Sequence, residues 1–304
     1  MTQPQATYHE PVLLNECLQA LAIKPDGRYV DATFGGGGHS RAILKLLGPK
    51  GALIAFDRDA DARHNAPADE RFTFVPSDYR WVRNHLRFMG LLPVDGMLAD
   101  LGVSSHQFDT AGRGFSFRFD APLDMRMNQR AGRTAADLVN TLDEQALARV
   151  LRNYGEVEQA PKVARRLVQA RAERAFETTG ELAEALRPMA RRGDEHGFLA
   201  QVFQALRIAV NDELSSLAQL LRESAEVVRP GGRLVVLSYH SLEDRMVKNW
   251  MRAGDLGGLE EKDMYGNSRR PFKPLHAKAV QAGEQEQLDN PRARSARLRA
   301  AQRQ

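Results

Sequence analysis

One cysteine, Cys17, stands among 304 residues, which excludes a disulfide-built scaffold and a cysteine-ligated metal cluster. Long apolar runs are missing too. Nothing approaches the roughly 18 consecutive apolar residues of a membrane span, and Met1–Tyr8 lacks the basic-then-apolar order of a secretory leader. Collagen-like and mucin-like compositions are likewise absent. These absences predict a cytoplasmic chain with no membrane partner. With 42% hydrophobic residues, it has core for one large unit or two ordinary ones.

Charge of one sign is scarce overall, at a net +4, but it is unevenly placed. Lysine and arginine against aspartate and glutamate give −2 over residues 1–110, +1 over 111–215 and +5 over 216–304. A positive last third suits a polyanion such as nucleic acid, although basic tracts are often only solvated faces.

From Arg28 to about Val103, short apolar runs alternate with helical stretches. Strands are expected at Arg28–Thr33, Ala52–Asp57, Arg71–Val75 and Val94–Asp100. Helices are expected at Ser40–Leu47, before Pro67, and over Tyr79–Met89. Continuous apolar strands alternating with helices imply a parallel sheet covered on both faces. After Asp109 helices dominate. One follows an N-cap at Asp143, one follows Pro161, one is capped by Thr179, and two more cover Phe198–Val210 and Asp212–Val228. Arg229–Gly232 reads as a turn, Arg233–Tyr239 as a strand and His240–Arg245 as the opening of a helix. Residues 254–290 read as a partly mobile loop. The end, around Ala296, Leu298 and Ala300, fits either a strand or a basic tail. The expected organisation is a discontinuous domain, 1–110 with 212–304, and a helical insertion at 111–211.

A strand that ends in Gly35–Gly38 and feeds a helix brings backbone N–H groups close to a ligand. The next strand ends in Asp57, where a carboxylate typically accepts ribose hydroxyls. The third glycine of G-x-G-x-x-G is missing, with Ser40 or Arg41 in its place, and no Gly-Lys-Ser/Thr follows. A cofactor without a pyrophosphate fits best, and S-adenosylmethionine is the obvious one. Tyr79, after the third strand, suits an adenine ring. Asp100 ends the fourth strand where ligands meet reacting groups, or caps the turn that follows.

Longer motifs recur in order: His9-Glu-Pro-Val-Leu-Leu14, Asp31-Ala-Thr-Phe-Gly-Gly-Gly-Gly-His-Ser40, Asp57-Arg-Asp59, Asp95–Ser105, Arg113-Gly-Phe-Ser-Phe117, Pro122–Met127, His240-Ser-Leu-Glu-Asp-Arg245 and Asn290–Ser295. Together they resemble the bacterial ribosomal RNA small subunit methyltransferase H family, over nearly the whole chain except residues 254–290. The resemblance implies a class I, Rossmann-like α/β S-adenosylmethionine-dependent methyltransferase sheet with the inserted helices as an RNA-recognition domain. It also implies methylation of a decoding-site cytosine N4 in 16S rRNA, within the small ribosomal subunit or a late precursor, and it allows a homodimer. Its cofactor contacts fall on Gly37, Gly38, His39, Asp57, Tyr79, Asp100 and Gln107. Two departures are Gly36, where relatives often carry a larger residue, and His106, where many have proline; the second bears on the Gln107 contact. The Pro-Pro-aromatic motif of DNA amino-methyltransferases is absent, with Asp100-Leu-Gly-Val in its place. A non-catalytic ribosome-assembly factor is the other alternative, though the intact glycine loop and Asp57 favour an enzyme.

Methylation at cytosine C5 needs a cysteine nucleophile, and Cys17 sits in the apolar pattern of an early helix. N4 transfer needs acceptors for the amine hydrogens and a nitrogen in line with the methyl at about 3 Å. Asp100 or a nearby backbone carbonyl can accept these hydrogens; Asp100 is the candidate catalytic group, or it serves the cofactor's methionine amine. The target base must be splayed out of its stack. Candidate RNA contacts are Arg113, Phe115, Phe117 and Arg118; Lys162, Arg165 and Arg166 on one helix face; His240, Ser241 and Arg245; and Arg292, Arg294, Arg297 and Arg299. For Phe115 and Phe117, plugging the insertion onto the sheet is an equal alternative. Ser241 could equally cap its helix, with Glu243 favouring the same positive end. The basic helix face could simply be solvated.

Overall fold

The computed structural model describes residues 11–260, 264–266 and 270–304. His9 and Glu10 of the first motif, and Met1–Tyr8, lie outside the described residues. Two compact units emerge, Met1–Gly102 with Leu214–Gln304, and Val103–Glu213. The change of unit falls after Gly102, a few residues before the change of texture at Asp109.

The first unit is built on seven strands: β1 Arg28–Asp31, β2 Ala52–Phe56, β3 Phe72–Val75, β4 Val94–Asp100, β5 Val228–Ser238, β6 Phe272–Pro274 and β7 Arg297–Arg303. Their order is β3-β2-β1-β4-β5-β7-β6. The first five run parallel, and β7 is antiparallel to both β5 and β6. Order and direction are those of the class I, Rossmann-like sheet that the resemblance implies. Strand order reverses between β1 and β4, so the crevice for ligands lies at their carboxyl ends, beyond Asp31 and Asp100.

Alternate residues on each strand face opposite layers. Val30, Ile54, Met97 and Val236 pack with Val82 and Leu86 of α3 (Val82–Phe88), Leu217, Leu220 and Leu221 of α10 (Glu213–Val227), and Val247 and Trp250 of α11 (Ser241–Ala253). Tyr29, Leu53, Leu98 and Val235 pack with Leu13, Cys17 and Leu21 at α1 (Leu14–Leu21), and with Ile43 and Leu44 of α2 (Gly38–Leu46). Both faces are apolar because both are covered.

The second unit holds α4 (Ser105–Asp109), α5 (Ala135–Thr141), α6 (Glu144–Gly155), α7 (Ala160–Glu173), α8 (Thr179–Leu186) and α9 (Glu195–Asn211). Its core joins Leu147 and Leu151 of α6, Val163 and Leu167 of α7, Leu182 and Leu186 of α8, and Val202, Phe203 and Leu206 of α9. Asp143 caps α6 by accepting the Ala146 N–H at 2.7 Å.

Several expectations need correction. The helix before Pro67 is a 3-10 turn, Ala60–Asn65, with Ala62 its one buried residue. Thr178, not Thr179, caps α8, in a reciprocal capping box with Glu181. Thr179 is buried, and its hydroxyl donates to the Phe119 carbonyl at 2.6 Å. β5 begins at Val228, so the expected turn at Arg229–Gly232 lies within it as an irregularity. The stretch read as a loop holds β6 and α12 (Glu284–Asp289); its residues 261–263 and 267–269 lie outside the described residues. The C-terminal segment is a strand between two others rather than a tail. No described helix is long and apolar enough to cross a membrane.

Candidate functional site

At the end of β1 the chain turns through the four glycines. The Phe34 N–H donates to the Phe56 carbonyl of β2 at 2.8 Å, and the Gly35 N–H donates to Asp57 Oδ2 at 2.7 Å. Asp57 Oδ1 accepts the Asp59 N–H at 2.8 Å. Arg41 reaches back from α2 to the Gly36 carbonyl at 2.7 Å, and the Asn65 amide holds the Gly35 carbonyl at 3.0 Å. The loop is therefore held in shape by the chain's own hydrogen bonds. Burial pushes the Asp57 carboxyl up to about 6 against the pull of its two N–H donors.

Glycine is required here for two different reasons. Gly37 has φ 75°, and a Cβ on it would lie 2.8 Å from Phe34 and Arg41 atoms. At Gly38 a Cβ would stand 2.3 Å from Pro11 Cγ, so this glycine admits the segment leading into α1.

β4 ends on a second knot. The Asp100 N–H donates to Thr33 Oγ1 at 2.6 Å, and the Tyr239 hydroxyl donates to Asp100 Oδ1 at 2.7 Å. His39 Nδ1 lies 3.7 Å from Asp100 Oδ2. Burial drives the Asp100 carboxyl up to about 7, with Glu243 adding repulsion and Tyr239 opposing it. Beneath lies Asp31, which accepts the Ser40 hydroxyl at 2.6 Å and the Thr33 N–H at 3.1 Å. Burial raises Asp31 and lowers His39. His39 Nε2 is buried and has no hydrogen-bond partner among the described residues.

Gly37, Gly38, His39, Asp57 and Asp100 thus converge at the carboxyl ends of β1, β2 and β4. Tyr79 sits after β3 in a 3-10 turn capped by Asp78, partly buried against the sheet core. His240, Ser241 and Arg245 follow β5 at the start of α11. Tyr239, Thr33 and Asp31 escape a reading of motifs one at a time. The signal for Tyr239 was positional, since it directly follows the strand beside the one that Asp100 ends.

The remaining candidates belong to the second unit. Gln107 is buried, and its Oε1 accepts the Ser104 N–H at 3.1 Å in a capping box. Arg113 is buried as well, donating to the Arg126 and Met127 carbonyls at 3.1 Å each. Phe115 lies in the helical core. The expectation that Arg113 and Phe115 meet RNA gives way to packing, because neither offers a free face. Phe117 stacks edge-on with His196 and Phe203, so it packs within the helical unit itself. Lys162, Arg165 and Arg166 are exposed on α7, with Val163 and Leu167 buried behind them. Arg165 reaches Glu144 at 3.3 Å and Arg166 the Ala185 carbonyl at 3.2 Å.

The family model described as the MraW methylase family matches residues 6–304. The Ribosomal RNA small subunit methyltransferase H of Parabacteroides distasonis is 55% identical over 303 residues, covering 99% of each chain. That of Bacteroides fragilis is 52% identical over 302 residues, again covering 99% of each. Among solved structures, an rRNA methylase from Streptococcus thermophilus aligns at 11% identity with TM-score 0.43, over 98% of this chain and 99% of that one.

Proposed function

Because this chain belongs to the MraW methylase family, we propose that it transfers a methyl group from S-adenosylmethionine to the exocyclic N4 of a cytosine in the decoding region of 16S rRNA. Relatives above 50% identity named as rRNA small subunit methyltransferases support the rRNA substrate. The observation that carries the choice of an amine is Asp100: a carboxylate at the carboxyl end of β4, beside the glycine loop, oriented by Tyr239.

The residues present fit the cofactor. Each Asp57 oxygen carries one N–H, which leaves lone pairs for a pair of ribose hydroxyls. The unpartnered Nε2 of His39 offers a further polar contact. Gly37 supplies the left-handed turn that shapes the loop, and Tyr79 offers a ring for the adenine. Gln107 is assigned to the cofactor by the resemblance alone. When bound, S-adenosylmethionine supplies an electrophilic methyl carbon.

The chain's own task is to make a poor nucleophile attack. The cytosine amine's lone pair is delocalised into the ring. Asp100, when ionised, accepts one amine N–H and thereby favours localisation of that lone pair. As the nitrogen gives up electron density its N–H becomes more acidic, so the hydrogen bond strengthens in the transition state more than in the ground state. The surplus proton passes to an Asp100 oxygen, and a carboxyl near pH 7 suits that transfer. No covalent intermediate is required, and Cys17 is packed in the core on the buried side of α1. Lys162, Arg165, Arg166, His240, Ser241 and Arg245 hold the RNA, with 103–213 as the recognition domain and the small subunit or a late precursor as substrate.

The test is mass mapping of 16S rRNA from cells with and without the gene. Loss of one methyl from a decoding-region cytosine amine is the expected result, and an unchanged map overturns the reading.

A further inference from the structure

The Glu243 carboxylate stands at the third position of α11 and is buried, at 3% exposure. Its Oε2 accepts the Tyr239 N–H at 3.0 Å, and its Oε1 lies 3.2 Å from His240 Nε2. The ladder between β5 and β7 ends at the Ser238–Arg297 pair. The Tyr239 amide therefore lies one residue past the last paired position, and a partly buried N–H there needs an acceptor from elsewhere. Glu243 is that acceptor. A capping glutamate at the third helical position ordinarily reaches back to the N–H of the N-cap residue. Glu243 reaches one residue further, past the N-cap residue His240, to the residue whose hydroxyl donates to Asp100 Oδ1 at 2.7 Å. One line of contacts thus runs from the start of α11 to the end of β4, within the first unit.

We propose that Glu243 is a positioning residue for methyl transfer, fixing the Tyr239 backbone so that its hydroxyl meets Asp100. The inference rests on the reading of Asp100 as the amine's acceptor and extends it one residue outward. The charge of Glu243 does not account for its place here, because it repels an ionised Asp100 and so works against that acceptor. What the side chain supplies is reach. The amide fixed by Glu243, and the ring packed against the core that includes Leu98 and Leu237, together aim the hydroxyl. Such aim matters at a reacting centre, where a misplacement of about 1 Å costs on the order of a hundredfold in rate.

The experiment measures kcat and KM of full-length variants on undermethylated small subunits at pH 9, above the Asp100 titration. Glu243→Ala lacks the carboxylate, and Glu243→Asp keeps the charge but is a methylene too short. Each is expected to lose about tenfold in kcat with KM for cofactor and subunits unchanged. Glu243→Gln, which keeps an acceptor oxygen at the right distance without the charge, is expected to recover most of that loss. Tyr239→Phe/Glu243→Ala should be no slower than Tyr239→Phe alone, since without the hydroxyl nothing is left to aim. A slow Gln variant beside an Asp variant at the wild-type rate overturns the proposal, and these two variants decide it even where Glu243→Ala does not fold. A double variant that melts like wild type yet loses the product of the two single losses overturns it as well. Both results leave the methyltransferase function standing. Undiminished kcat in Asp100→Ala instead brings down the reading of Asp100, and this proposal with it.

Discussion

The Tyr239 hydroxyl donates to Asp100 Oδ1 at 2.7 Å, joining the residue after β5 to the last residue of β4. That bond favours the ionised carboxyl and opposes the burial that lifts Asp100 to about 7. The rate of methyl transfer should therefore rise with pH through about 7 in the wild type, because only ionised Asp100 accepts an amine proton. Tyr239→Phe removes the bond and is expected to move this ascending limb up by about one pH unit. Rates at saturating RNA and cofactor across pH 5.5–9 check it, and an unmoved limb argues against the coupling.

Asp100 also makes stability depend on pH. Its carboxyl titrates near 3.8 when solvated and near 7 when folded. Below 3.8 it is neutral in both states, and the fold carries no penalty. As pH rises through the window from about 4 to 7, the unfolded chain ionises this carboxyl while the folded state keeps it protonated, so stability falls, and above 7 the fold carries the buried charge. Asp100→Asn stays neutral throughout. Urea unfolding at pH 8 should find the variant more stable than wild type, by up to about 4 kcal/mol, with the two close to equal at pH 3.5.

Asp57 serves the loop and the proposed donor together. Asp57→Ala should weaken S-adenosylmethionine binding by about two orders of magnitude and lower the melting temperature, since the Gly35 and Asp59 N–H groups lose their acceptor. Asp57→Asn keeps one acceptor oxygen and should retain more of both. Calorimetric titration showing equal affinities for wild type and Asp57→Ala would remove the assignment.

Gly37→Ala places a side chain at φ 75°, against Phe34 and Arg41. A loss of about 1–3 kcal/mol in thermal unfolding is expected, together with weaker donor binding.

Much of the catalytic edge was legible because it is local. Strand, glycine turn and helix follow one another within 20 residues, and Asp57 and Asp100 lie at the ends of apolar runs whose parallel pairing brings them to one side. What escaped depends on distant partners. β7 pairs with β5 across some 60 residues of chain, and nothing in Arg297–Arg303 itself distinguishes an inner strand from a basic tail. Ala60–Asn65 offers only two alanines, Ala60 and Ala62, and a spacing of two does not make a helical face, so Asp59 caps only a 3-10 turn. Arg113 looked like an RNA contact because arginine is usually exposed. Its burial rests on carbonyls 13 and 14 residues further on, which no local pattern announces.

The central claim is that the glycine loop and Asp57 form the methyl donor's pocket beside Asp100. A crystal structure with S-adenosylmethionine tests it most directly. The account predicts the ribose hydroxyls on the Asp57 carboxylate and the transferable methyl facing the Asp100 edge; donor density elsewhere, or an Asp57 without donor contact, would contradict it.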